Sequence, residues 1–305
     1  MGSASPVVLT RYAVEPGASP HTFDSSSERI DPYSWSVAKR GTILFADTIR
    51  GTRDQPSERT RSGNYLIRGR IVVPIDVALM DLWLPRILGG NESTDTFPVA
   101  ETLPAFGLLA DLGGNTHEFK DCYVNSAVIS GRQYNGQGSP EPLTLMLDII
   151  GTDEAIGTSF PAASLSTAAN VAPLMFEDGV FTMQSAARDI LAFNIGIYNM
   201  LRPRWANSLK PTVIYPSGRL IQVNTICAYT SSEASALYGQ SYSGAAATFT
   251  FTNGNTSFGF TFGRLQVPPE TPEVQGRGEV LLKLNGVGRA VTTTKSIVGA
   301  NDSTV

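Results

Sequence analysis

The chain has 305 residues, 42% hydrophobic and 16% charged, enough apolar content for a sizeable core and too much for wholesale disorder. Its formal charge of −4 excludes the basic balance of a dedicated nucleic-acid binder and gives no footprint for an anionic membrane. Gly (29) and Pro (19) are frequent enough to favour many turns over long helices. Cys122 and Cys227 are far apart and form no CxxC, so they read as buried thiols in a reducing compartment, not as a disulfide framework or zinc site. Residues 1–10 lack the charged start and apolar run of a signal peptide. The most apolar window, residues 71–88, is broken by Asp76, Asp81 and Arg86 and cannot span a bilayer. The reading is a soluble chain without a membrane anchor, made in the cytoplasm.

Residues 1–20 have little core-forming capacity and read as an N-terminal arm. A first module, 21–152, opens with an alternating strand through Ile43, Phe45, Asp47 and Ile49, its apolar face broken by Asp47. A polar connection over 48–64 follows, within a stretch from Arg40 to Arg70 that carries seven Arg against Asp47, Asp54 and Glu58. The strand Gly69-Arg70-Ile71-Val72 then leads to a short helix. Asp76 can cap it, Val77, Met80, Trp83 or Leu84, and Ile87 form its apolar stripe, Pro85 kinks or ends it, and Gly89-Gly90 stops it. A hairpin over 106–124 turns at Gly113-Gly114-Asn115-Thr116, and a last strand covers Pro142 to Leu147.

Residues 153–170, rich in Ala, Ser, Thr and Gly, read as a linker, and 171–289 repeat the same order. Leu191, Phe193, Ile195 and Ile197 match the first strand, residues 199–210 the polar connection, and Gly218-Arg219-Leu220-Ile221 the second strand. A short helix over 233–238 follows Ser231 or Ser232 and closes at Gly239. Asn253-Gly254, between two alternating β-rich runs, is the strongest hairpin signal in the chain. Phe249, Phe251, Phe258, Phe260 and Phe262 supply its aromatic face, and Glu279 to Leu284 form the last strand. Residues 290–305 read as a C-terminal arm. The fold class is therefore mainly β: two tandem β-sandwich or barrel-like modules, each with one short α-helix.

This order of elements, with the phrase Pro268-Pro269 … Pro272-Glu273-Val274-Gln275-Gly276-Arg277-Gly278-Glu279-Val280-Leu281-Leu282, resembles the major tail tube proteins of siphophages, phages with long non-contractile tails. The resemblance covers residues 20–290, to subunits that carry two tube modules in tandem. It implies a structural protein of the virion tail whose rings stack into a hollow tube for DNA ejection into the host. Three two-module subunits would give a pseudo-sixfold ring, with a hexameric ring as second choice. The implied partners are further copies of the chain, other tail proteins at the tube ends, and double-stranded DNA in transit without specific binding.

The physical chemistry suits such an assembly. Exposed strand edges must be covered or paired, and head-to-tail pairing around a ring removes them if the rotation closes. Axial contacts would fall to residues 48–64, 199–216 and the termini. The candidate inter-ring or inter-subunit residues are Arg50, Arg53, Arg59, Arg61, Arg202, Arg204 and Trp205. Asp54 and Glu58 interleave the first four and no aromatic platform accompanies them, which favours protein contacts over phosphate contacts. Trp205 either anchors a neighbour or packs within its own module.

Catalytic patterns are missing. His21 and His117 are too few and too separated for the usual metal sets. Gly239-Gln240-Ser241-Tyr242-Ser243-Gly244 misses the nucleophile elbow by one residue, and Gly276-Arg277-Gly278 is an incomplete Gly-rich match. Asp111 and Asp121 could oppose each other across the first hairpin, but nothing else asks for two-carboxylate chemistry. The reading is no enzyme and no cofactor. The alternative is a carbohydrate- or receptor-binding β-sandwich of a phage fibre or surface structure, which has no need of a helix in both halves.

Overall fold

A computed structural model of the chain describes residues 10–45, 57–133, 141–157, 159–161, 171–229, 244–268, 271, 280–291 and 295–302. In the first half the strands are β1 (Thr10–Pro16), β2 (Glu28–Ile30), β3 (Ser34–Trp35), β4 (Ala38–Phe45) and β5 (Thr60–Pro74). Helix α1 (Val77–Leu88) precedes β6 (Thr96–Pro98), β7 (Phe106–Leu112), β8 (Asn115–Arg132), β9 (Thr144–Gly151) and β10 (Asp153–Ile156). The second half begins with β11 (Gly179–Met183), β12 (Ala186–Arg188), β13 (Ile190–Tyr198), β14 (Leu201–Arg204) and β15 (Val213–Pro216). It ends with β16 (Leu220–Ala228), β17 (Ala245–Asn253), β18 (Thr256–Gln266), β19 (Leu281–Arg289) and β20 (Val298–Asp302). The fold is mainly β, as its composition and alternation require.

The antiparallel pairings run β4–β5–β9–β8–β13–β16–β19–β18 without a break. Alternate side chains face one core, because strand side chains point to opposite faces with period two. On β9 these are Leu145, Leu147 and Ile149, and on β18 Phe258, Phe260 and Phe262, all buried. One apolar cluster extends from Val14 to Ile297 and draws on both halves. Phe193 stands at its aromatic centre, with ring centroids 5.3 Å from Phe249 and 5.4 Å from Phe251.

The pairings of the first half recur in the second. β1 pairs with β2 and β7, β7 with β8, and β8 with β10. Likewise β11 pairs with β12 and β17, β17 with β18, and β18 with β20. Each hairpin has a register shift, between Phe106 and Leu108 in one and, two residues farther from the turn, between Ala245 and Ala247 in the other. Val73 lies opposite Leu145 and Cys227 opposite Leu282, which makes Val73 the counterpart of Cys227 and Gly69 that of Val223, not of Gly218. Similarly Trp35, opposite Ile71, takes the place of Phe193, opposite Thr225. Ile43 and Phe45 therefore lie beyond the stretch that sequence alternation matched to Phe193.

Helix α1 is capped as its sequence dictates. An Asp76 carboxylate oxygen accepts from the Leu79 N–H at 2.7 Å, and Gly89 ends the helix at φ 89°, a left-handed conformation suited to glycine. The helix continues past Pro85 to Leu88. The helix read over 233–238 lies outside the described residues, as does most of the Pro-rich phrase after Pro268.

Two segments expected to lack core-forming capacity carry strands. In β1, Ala13 and Val14 are fully buried. In the C-terminal segment Ile297 is buried and β20 pairs with both β18 and β6. Residues of the second half also hold both ends of α1. Asn301 Nδ2 donates to the Val77 carbonyl at 2.7 Å. At the other end Asn199 Nδ2 donates to the Ile87 and Val124 carbonyls, and Arg219 donates to the Leu88 and Ala100 carbonyls and to Asn199 Oδ1. A guanidinium at a helix C-terminus also meets the negative end of its dipole.

Replacing Arg219 by Ala is expected to cost about 2–3 kcal/mol, the scale of hydrogen bonds to a charged group. Phe260, 1% exposed and edge-on to Phe258 at 5.1 Å, should cost about 3–5 kcal/mol on truncation to Ala. Chemical denaturation with wild-type slope checks both values. An unchanged midpoint for Phe260→Ala would contradict the register of β18.

Candidate assembly surface

Two hairpins leave the continuous sheet at the same end, since β5 and β16 run in the same direction through it. The first, β4–β5, is open to solvent along all of β4. Its apolar side chains are fully presented: Ile43 is 62%, Leu44 59% and Phe45 68% exposed. Such a run on a projecting edge strand needs a cover, because unpaired edges and exposed apolar side chains both promote association.

The second hairpin, β14–β15, is built alike but is covered. Cross-strand partners share a face, so Leu201, Pro203, Ile214 and Pro216 lie on one side and Arg202, Arg204, Val213 and Tyr215 on the other. Leu201 and Ile214 are buried with Leu103 and Ile150, and Leu66 and Tyr123 pack beside them. The apolar face of the second hairpin thus rests on the sheet of the first half. Its outer face keeps Arg202 and Arg204 exposed.

Polar groups fasten the hairpin tip. The Tyr65 N–H donates to the Leu209 carbonyl at 2.9 Å, and the Trp205 indole N–H donates to the Tyr65 carbonyl at 3.4 Å. The Tyr65 hydroxyl donates to Asp153 Oδ1 at 2.9 Å, and Lys210 Nζ donates to Asp153 Oδ2 at 2.7 Å. Lys39 Nζ sits 3.9 Å from the centroid of the Tyr65 ring, a cation–π contact. Burial, followed by the Asp153 carboxylate, pushes the Tyr65 hydroxyl up to about 12. Burial tends to raise the Asp153 carboxyl, but Lys210, the Glu154 N–H and Tyr65 together hold it below its usual value.

Of the residues singled out in the sequence, Arg50 and Arg53 lie outside the described residues. Arg59 ends a short 3-10 turn at the foot of the first hairpin, and Arg61 lies exposed on β5 opposite Leu44. Arg202 and Arg204 occupy the outer face of the second hairpin, and Trp205 bonds within its own chain. Sequence reading missed Leu66, Tyr123 and Ile150 as the seat of that hairpin. Their alternation with the core-facing residues of β5, β8 and β9 was the available signal.

The remaining candidate chemistry resolves into local contacts. Asp111 lies opposite Thr116, not Asp121, and forms an ion pair with Arg11 while accepting from the Gly114 N–H. That arrangement holds its carboxyl below the usual range, chiefly through Arg11. Arg11 also covers the Phe160 ring at 4.6 Å, in a shallow cleft of about 370 Å³. His117 Nδ1 lies 2.8 Å from Glu154 Oε1. Cys122 and Cys227 are buried thiols, and burial raises the Cys122 thiol. Among the described residues no three His, Cys, Asp or Glu gather as a metal site, and no helix is long and apolar enough to cross a membrane.

Asp153→Asn should loosen the second hairpin and lower stability by about 0.5–1 kcal/mol at neutral pH, the scale of a partly exposed ion pair. The wild-type carboxyl is depressed, so its contribution is present above the ordinary carboxylate range and is lost as pH falls through the depressed value. Melting curves across a pH series should therefore show the gap between variant and wild type closing in acid. A gap constant down to the lowest pH would show that Asp153 acts without its charge.

No curated protein sequence matches the chain. The model of one protein family, described as phage tail tube protein, matches residues 12–288. That span takes in β2 to β18 whole, both hairpins and the joint between the halves. With this match over most of its length, the mainly β chain belongs to the phage tail tube protein family, structural proteins of the virion tail.

Proposed function

We propose that this chain is the tube subunit of a siphophage tail, with tandem modules at 21–152 and 171–289 joined by residues 153–170 and flanked by arms at 1–20 and 290–305. Three copies close head to tail into a pseudo-sixfold ring. The rings stack into a hollow conduit through which double-stranded DNA passes into the host without specific binding. Other tail proteins cap the tube ends.

The observation that carries this reading is the joint between the halves. β8, at one border of the first set of strands, pairs with β13, at the border of the second. β3 and the start of β4 take the place of β13 in the first set, yet their second edge has no strand beside it among the described residues. A joint of the β8–β13 kind between copies would satisfy that edge, and repetition of a heterologous contact closes a ring when its rotation allows. Arg59, Arg61, Arg202 and Arg204 are exposed at the same end as both hairpins, which supports contacts of theirs with an adjoining ring, and the same role is proposed for Arg50 and Arg53 from their sequence alone. The acidic balance of the chain suits a channel that DNA must cross without adhering.

Purified protein should form rings or hollow tubes by negative-stain electron microscopy, and light scattering on isolated rings should return three subunits. A strictly monomeric species at every concentration and ionic strength tested would overturn the tube reading. Six-subunit rings would overturn the trimer.

A further inference from the structure

The second hairpin offers a template for a contact that the first cannot make within its own chain. Ladder positions fix the correspondence. Ile43 lies opposite Ser62 and Phe45 opposite Thr60, as Leu201 lies opposite Pro216 and Pro203 opposite Ile214. With Val73 the counterpart of Cys227 and β5 in step with β16, Ser62 answers to Pro216 and Thr60 to Ile214. Ile43 and Phe45 thus hold the positions of Leu201 and Pro203. Leu201 is 8% exposed on the seat formed by Leu66, Tyr123 and Ile150, whereas Ile43 and Phe45 are 62% and 68% exposed.

The same correspondence locates an equivalent seat in the second half. Leu66 answers to Leu220. Arg68 pairs with Ile150 as Gln222 pairs with Val287, so Ile150 answers to Val287. Leu220 and Val287 are half-buried, and neither belongs to an apolar core cluster. Tyr123, opposite Ile150, answers to Gln266, opposite Val287. Among the described residues the chain therefore presents an exposed apolar hairpin face at one end of its sheet and, at the other, a half-exposed apolar pair beside a glutamine.

We propose that Ile43 and Phe45 of one copy dock on Leu220 and Val287 of the laterally adjacent copy, reproducing between subunits the packing of Leu201 on Leu66 and Ile150 within one. The occupant is a second copy of this chain in the same ring, and the proposal rests on the ring reading above. The first hairpin's apolar face then serves lateral closure, which leaves the basic outer faces of both hairpins for the neighbouring ring.

Phe45→Asp removes the donor face, and Leu220→Asp the seat. Each variant alone should sediment as a monomer with wild-type circular dichroism. An equimolar mixture retains one sound junction, the hairpin of the Leu220→Asp copy on the seat of the Phe45→Asp copy, and should yield dimers but no rings. Val287→Glu serves as the seat variant should Leu220→Asp not fold. Rings formed by either variant alone, or a mixture that stays monomeric, would overturn the lateral contact while wild-type tubes left the tube reading standing. A wild type that never assembles removes both.

Discussion

Every strand edge carries backbone N–H and C=O groups that need a partner, and the fold is organised around where those partners come from. Inside the chain the demand is met at β8 and β13, where seven residue pairs from Ser126–Tyr198 to Arg132–Ala192 join the two sets of strands. The joint places Asn199 directly after β13 and Arg219 directly before β16, and from there both reach the C-terminal end of α1. Side-chain recognition is thus layered on a backbone ladder. The ladder supplies geometry that any sequence could satisfy, and the buried Asn199 amide and half-buried Arg219 guanidinium make this pairing of halves specific.

The two hairpins show one architecture in two environments. On the second, Leu201 and Ile214 find Leu66, Tyr123 and Ile150 inside the molecule, and Tyr65, Trp205, Lys210 and Asp153 fix the tip. On the first, the same ladder positions carry Ile43 and Phe45 into solvent. Ordinary surface strands avoid such exposure, so these residues are understood by what must cover them, not by what they do in the isolated subunit.

Much of this was legible in the sequence because turn chemistry and strand alternation are local. Asn253-Gly254 marked its hairpin, and the apolar runs ending at Leu147 and Leu284 took equivalent places in the ladder. Asp76 and Gly89 marked the limits of α1, whereas Trp205, read either as an anchor on a neighbour or as packed within its own module, donates to the Tyr65 carbonyl of the other half. Alternation failed where it cannot distinguish burial from display. Ile43 and Phe45 repeat the period of Phe193 and Ile195, so a solvent-facing hairpin passed for a core strand. It also cannot fix register. Gly69-Arg70 resembled Gly218-Arg219, yet the ladder equates Gly69 with Val223, and Arg219 proved to serve the helix instead. The strand around Val14 did not stand out because adjacent Ala13 and Val14 are both buried, which breaks alternation, and its burial depends on β7, distant in sequence.

The last described strand has a further consequence, for the order of events during synthesis. β20 completes pairings with β18 and β6, and Asn301 reaches Val77 across 224 residues of chain. Closing so long a loop is entropically expensive and slow compared with local pairing. The first helix therefore lacks its Asn301 contact until residues up to 301 have left the ribosome. A nascent fragment with its hairpin already formed would still lack the Asn301 amide at the start of α1 and the β20 pairings beside it.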